Sequence, residues 1–222
     1  MAWFWFFDLD GTLYDAQSGL WPAIKERITL FVQQHLNLTR RAAEALRQQW
    51  VAQYGTTLRG LQHADPALDA RAYFAFVHDL PLEDYIHPDP RLAAVLAALP
   101  GRKWVLTNAD AAHAQRVLQR LGVREHFVGV IDLFALGEIP KPLPEAYRRA
   151  LALAGSPPPA QCVLVDDQPR NVAAAQALGM RTVWIAPVAA PDGPGDAHVT
   201  EIYQLPAVWQ RWAQEGQGGK DA

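Results

Sequence analysis

Cysteine is almost missing from this chain. The single residue, Cys162, cannot close an internal disulfide, and no cluster of cysteine and histidine has the spacing of a zinc site. That usage fits a reducing cytoplasm. An excess of charge is missing too: 20 Lys and Arg stand against 23 Asp and Glu, a formal net charge of -3. No broad basic field exists to hold a nucleic-acid polymer or an anionic membrane, so any affinity for phosphate has to be local. Long hydrophobic runs are lacking as well. The opening segment, Met1 to Phe7, is apolar, but it carries no basic leader, runs into Asp8 and Asp10, and is too short to span a bilayer. It reads as a buried strand. No internal repeat is present.

What the chain does have is apolar content. Its 222 residues, 50% of them hydrophobic, suffice to bury one substantial core with a small satellite domain beside it. Short apolar runs at Trp3 to Phe7, Trp104 to Leu106, Val163 to Val165 and Thr182 to Ile185 each end in polar residues, and none alternates. Strands of that kind are covered on both faces, as in a parallel sheet. Between them, helical spacing runs over Pro90 to Leu99, Ala111 to Leu121, Leu143 to Ala154 and Pro169 to Leu178. The alternation predicts a doubly wound α/β domain.

From Tyr14 to about Pro88 the rhythm breaks. Three helices are predicted there, near Pro22 to His35, Thr39 to Tyr54 and Pro66 to His78, without a convincing strand. This places a helical insertion after the first strand, dividing the chain into a core domain of residues 1–14 and 89–213 and an inserted domain of residues 15–88. His87-Pro88-Asp89-Pro90 marks the return, since two prolines force extended or turn geometry before the next helix. The Gly-rich polar tail, Gln214 to Ala222, is predicted to be frayed or disordered.

The chemistry concentrates at strand ends. In Phe7-Asp8-Leu9-Asp10-Gly11 two carboxylates follow an apolar run, where ligands bind in an open α/β sheet. So close a pair repels unless a cation binds between them or one stays protonated; the local alternative is a strand-end turn and a helix cap. Thr107-Asn108 offers a hydroxyl, an amide and backbone N–H groups ahead of a helix, either as a phosphate cradle or as a cap formed by Asn108 or Asp110. Lys141 stands between Pro140 and Pro142, whose fixed dihedrals can aim it inward at a phosphate. Asp166 and Asp167 end a further apolar run; with Asp8 and a backbone carbonyl they suit Mg²⁺, while one of them can also cap the next helix.

Taken in order, Asp8-Leu9-Asp10-Gly11-Thr12, Thr107-Asn108, Lys141-Pro142 and Asp166-Asp167 resemble the four motifs of the haloacid dehalogenase-like hydrolase superfamily, over roughly Trp3 to Ile185. The resemblance implies a Rossmann-like core whose helical insertion is a small cap domain. Within the superfamily the chain looks most like the pyrimidine 5'-nucleotidase group, through Phe7 to Tyr14, the segment Tyr54-Gly55-Thr56-Thr57-Leu58-Arg59-Gly60-Leu61, Leu106 to Ala109, and Asp166 to Asn171. Gly11 stands where that group often has Asn.

Carried over residue by residue, the resemblance implies that Asp8 is the nucleophile and a Mg²⁺ ligand. Asp10 is the general acid and base, with its carbonyl on the metal. Thr107 and Asn108 bind the phosphate, Lys141 neutralises it, and Asp167 holds Mg²⁺ with Asp166 beside it. The implied partner is a small phosphomonoester, a nucleoside monophosphate. Acid duty near neutrality asks Asp10 to titrate above about 3.9, and the neighbouring Asp8 pushes in that direction. For the leaving group, Arg59 is the first candidate contact, with Tyr54, Trp21, Trp50 and Tyr14 beside it or else in the core. Other reactions on the same scaffold are a phosphoglycolate or phosphosugar phosphatase, a phosphosugar mutase and a 2-haloacid dehalogenase; a catalytically silent binding module is the alternative of another class.

Overall fold

The computed structural model describes residues 2–188 and 193–218. Six parallel strands form one sheet: β1 (Phe4–Phe7), β2 (Arg102–Leu106), β3 (Gly129–Ile131), β4 (Cys162–Asp166), β5 (Arg181–Ile185) and β6 (Ala197–Val199). Their order is β3-β2-β1-β4-β5-β6. Because the inner strands are covered on both faces, neighbouring residues serve different cores. Trp5 and Phe7 of β1 pack with Val163 and Val165 of β4 on one side, whereas Phe6 and Leu164 pack with Tyr147 on the other. The chain leaves β1 toward β2 and leaves β4 toward β5, in opposite directions. A crevice therefore opens between the carboxyl ends of β1 and β4, the switch point at which such sheets bind ligands.

This is the Rossmann-like α/β fold expected from the sequence. Two strands go beyond that expectation: β3 and β6 have three residues each, too few for an apolar run to stand out. Five helices flank the sheet, α5 (Pro90–Ala98), α6 (Ala111–Leu121), α7 (Pro144–Leu153), α8 (Pro169–Gln176) and α9 (Leu205–Gly218), preceded in the chain by four in the insertion. The helix α9 continues to Gly218, into the segment expected to fray, because Leu205, Val208 and Trp212 anchor one of its faces in the main core. Residues 219–222 of that segment lie outside the described residues. No helix among the described residues is long and apolar enough to cross a membrane.

The insertion between β1 and β2 holds four helices rather than three: α1 (Leu20–His35), α2 (Arg40–Tyr54), α3 (Thr57–Ala64) and α4 (Ala70–Val77). The unexpected one, α3, has local causes. Gly55 ends α2 in a left-handed conformation (φ 86°), and the Thr56 side chain then caps the new helix by accepting from Arg59 N. Halfway along α3, Gly60 lies so close to Trp50 of α2 that a Cβ placed there would come within 2.1 Å of the indole. The four helices share an apolar core, including Val32, Trp50, Leu58, Leu61, Tyr73 and Phe74, which Leu133 after β3 joins.

Candidate active site

The first strand delivers Asp8 to the crevice, and its backbone N–H is tied to β4 by a 2.9 Å bond to Val165 O. The chain must then turn away at once. Gly11 does so at φ 91°, a conformation that strains a residue with a side chain, and a Cβ there would press on the Asp167 carboxylate at 3.1 Å. Lys141 is 1% exposed, and its Nζ donates to Asp8 Oδ1 and to Asp166 Oδ2, both at 2.7 Å. Its backbone is clamped by Asn108, which accepts from Lys141 N (2.8 Å) and donates to Lys141 O (3.0 Å). Asn108, expected on the phosphate, thus spends its amide on positioning the lysine. Thr107 Oγ1 accepts from Ala109 N at 3.0 Å, which leaves its hydroxyl proton for an acceptor in the crevice. The cap of α6 is Asp110, whose side chain accepts from Ala112 N and His113 N.

Asp166 and Asp167 differ in what they have left to offer. Both oxygens of the fully buried Asp166 are engaged, Oδ1 by Gln168 N and Asn171 Nδ2, Oδ2 by Lys141 Nζ and Asn171 Nδ2. Asp167 Oδ2 accepts from Gln168 Nε2, but Oδ1 is buried without any partner. Ligand oxygens of Asp8, Asp166 and Asp167 lie within 4.8 Å of one another. A buried, unpartnered carboxylate oxygen amid three acidic groups matched by one lysine is the donor set of a hard divalent cation, so these residues fit Mg²⁺. Burial, followed by the Asp166 charge, pushes Asp167 up to about 6; burial likewise raises Asp8 well above the ordinary carboxylate range, against the pull of Lys141.

These shifts set a stability prediction. A carboxyl whose folded pKa is raised favours the native state while protonated, and that contribution is lost as pH rises through the folded value. For Asp167 the window runs from about 4 to about 6. In chelator the penalty above pH 6 is on the order of 1–3 kcal/mol, and a bound cation removes it. Thermal melts with and without Mg²⁺ at pH 5 and pH 7.5 should show a larger gain from Mg²⁺ at the higher pH. An equal gain at both would remove the carboxylate cluster as the cation site.

Asp10 departs from expectation. Burial does push its carboxyl up, but His113, His78 and Tyr14 together outweigh that and hold it below the ordinary carboxylate range. Tyr14 Oη donates to Asp10 Oδ1 at 2.7 Å, and His113 Nε2 lies 3.0 Å from the same oxygen. The repulsion expected from Asp8 is not what decides the balance, because cation-capable and O–H donors lie nearer. On the far side His113 stacks on His78, ring centroids 3.9 Å apart, and His78 Nδ1 pairs with Asp110 Oδ1 at 2.6 Å.

A cavity of about 300 Å³ joins this centre to the insertion; Asp8, Asp10, Thr107, Asn108, Lys141 and Asp167 line its core side. Arg59 is not in its lining. Lys25 and Arg47 are, with Trp21, Thr56 and Tyr73. Trp50 packs against Gly60 and Tyr54 tilts against His63 at 5.1 Å, outside the lining. Arg170, at the start of α8, reaches across to the end of α2 and donates to Gly55 O (3.0 Å) and Val51 O (3.4 Å).

A doubly wound parallel sheet with a helical insertion after β1 and a carboxylate–lysine centre at the carboxyl end of that strand define an α/β protein with its candidate site at the switch point of the sheet. The chain belongs to the haloacid dehalogenase-like hydrolases, whose family pattern matches residues 6–179. It is 29% identical over 188 residues to Phosphate metabolism protein 8 of Saccharomyces cerevisiae, a match covering 79% of this chain and 59% of that protein. In structure it resembles a 2-haloacid dehalogenase from Pseudomonas syringae, with a TM-score of 0.60, 24% identity, and 96% and 100% of the two chains covered. It resembles equally a HAD phosphatase from Thermococcus onnurineus, with a TM-score of 0.61, 20% identity, and 94% and 98% covered. These structural likenesses show the shared fold.

Proposed function

We propose that the chain is a Mg²⁺-dependent phosphomonoesterase acting through an aspartyl phosphate, with pyrimidine nucleoside 5'-monophosphates as substrates and residues 15–88 as a cap over the site. The observation that carries it is the meeting of Asp8, Asp10, Thr107, Lys141 and the unpartnered oxygen of Asp167 in one crevice. In the first step the Asp8 carboxylate attacks phosphorus while the bond to the leaving alcohol breaks, and Asp10, which has to enter the step protonated against the pull of His113, His78 and Tyr14, gives that alcohol its proton. In the second, Asp10 takes a proton from water, the water oxygen bonds to phosphorus, and the bond to Asp8 breaks to release phosphate. Thr107 and Lys141 donate to the phosphoryl oxygens throughout. Asp8, Asp167 and the Asp10 carbonyl would hold Mg²⁺, which would supply the positive charge needed for one anion to approach another.

Halide displacement is the poorer fit. A halide leaves without a proton, and the network fixing Asp10 together with the free oxygen of Asp167 would have no task. Substrate choice falls to the insertion. Arg47 Nε is buried without a hydrogen-bond partner at the cavity wall, and Trp21 lines the same space, so this pair is better placed than Arg59 to meet a base carbonyl and ring. A cavity of about 300 Å³ suits a mononucleotide and excludes a polymer.

Phosphate release from uridine, cytidine, adenosine and guanosine monophosphates, phosphoglycolate and hexose phosphates tests the proposal. The highest kcat/KM is expected for the two pyrimidine nucleotides, with turnover stopped by chelator and restored by Mg²⁺. A higher value for adenosine monophosphate or a sugar phosphate rejects the nucleotidase assignment, and full turnover in metal-stripped buffer rejects the metal.

A further inference from the structure

We infer that His113, steadied by His78 from the insertion, is a positioning residue that orients Asp10 for proton transfer to the leaving group. The inference rests on the phosphatase reading of Asp8 and Asp10. Its ground is geometric. His113 and Tyr14 both bond to Oδ1 of Asp10, at 3.0 and 2.7 Å, which holds that oxygen from two sides and leaves Oδ2, on a residue that lines the cavity, without a hydrogen bond among the described residues. The His113 ring is buried and comes from α6, which follows β2, the strand on the opposite side of β1 from β4. Its other nitrogen, Nδ1, is buried without a partner, so no second hydrogen bond sets the ring's tilt.

What sets it is the parallel His78 ring, 14° from coplanar at 3.9 Å. His78 follows α4 in the insertion and is itself pinned from several sides. Asp110 holds its Nδ1 at 2.6 Å, Phe74 stacks at 5.4 Å, and Arg116 donates to its carbonyl at 2.9 Å. The orientation of Asp10 therefore depends on the end of α4 being docked on α6. An undocked insertion leaves His113 free to turn and the proton donor unaimed. This ties proton delivery to closure over the substrate, the arrangement by which a lid completes a site only when it is shut.

The readout is dependence on the leaving group. Phosphoryl transfer from p-nitrophenyl phosphate expels a weakly basic phenolate that needs little proton donation, whereas a nucleoside leaves as a strongly basic alkoxide unless protonated. Positioned general acid catalysis is worth about 10²–10⁴-fold, so His113→Gln should lower kcat/KM for uridine monophosphate by about 10²-fold, and at least tenfold more than for p-nitrophenyl phosphate. His78→Ala should show the same bias at smaller size, and His78→Phe, which keeps the stacked ring, should recover most of it. Equal losses on both esters in folded protein would overturn the inference and reduce both histidines to packing. Should His113→Gln not fold, the two His78 variants carry the test: a biased loss in His78→Ala with recovery in His78→Phe supports the inference, and an unbiased loss overturns it. The phosphatase reading fails separately, if Asp8→Asn retains turnover on either ester.

Discussion

Asp8→Asn is expected to give a folded protein without measurable phosphate release, a loss of at least about 10⁴-fold, the scale on which a covalent nucleophile is missed. The substitution is isosteric, so Lys141 can keep its 2.7 Å bond to the remaining carbonyl oxygen. It also takes one negative charge from a buried cluster in which burial already disfavours the ionised form of Asp8. Chelated Asp8→Asn should accordingly melt no lower than chelated wild type at pH 7.5. Phosphate release above about 1% of wild type, with deamidation back to aspartate excluded by mass spectrometry, would remove Asp8 as nucleophile.

Lys141→Met should be the most damaging change to both activity and fold. The ammonium is held between Asp8 and Asp166, and Asp166 is completely buried. Removing one partner of such a cluster strands the others and costs about 3–5 kcal/mol. Urea denaturation in chelator at pH 7.5 measures it. The loss should shrink at pH 5, because without the lysine Asp8, whose ionised form burial already disfavours, can relieve the repulsion by binding a proton. A cost under about 1 kcal/mol, or one independent of pH, would contradict the role given to this ion pair.

The sheet and the carboxylates are legible in the sequence because both are local signals. A run such as Cys162-Val163-Leu164-Val165 announces a strand covered on both faces, and a polar pair at its end announces the crevice. Relations between distant segments are not. Nothing around Asp10 indicates that a histidine 103 residues away will hold its carboxyl. One trace exists. On α6, His113 falls on the apolar stripe of Ala114, Val117, Leu118 and Leu121, and a polar ring on a buried face needs a partner. Arg47 leaves a similar trace, since it shares the inward stripe of α2 with Ala43 and Trp50 at helical spacing. Arg59 attracts notice instead because it sits inside a family-like motif, but that segment folds into α3 for the sake of helix packing, and its arginine does not line the cavity.

The contact of Gly60 with Trp50 has a consequence for how such an enzyme diversifies. The distance between α2 and α3 is set by the absence of one methyl group, and those two helices carry Arg47 and Thr57 to the cavity while contributing nothing to the carboxylate–lysine centre. Even one methyl at Gly60 would overlap the indole, so added bulk at that contact would force α2 and α3 apart and move the cavity wall while leaving the strand-end carboxylates untouched. The shape of the cavity can thus be altered through helix spacing without altering the carboxylate–lysine centre.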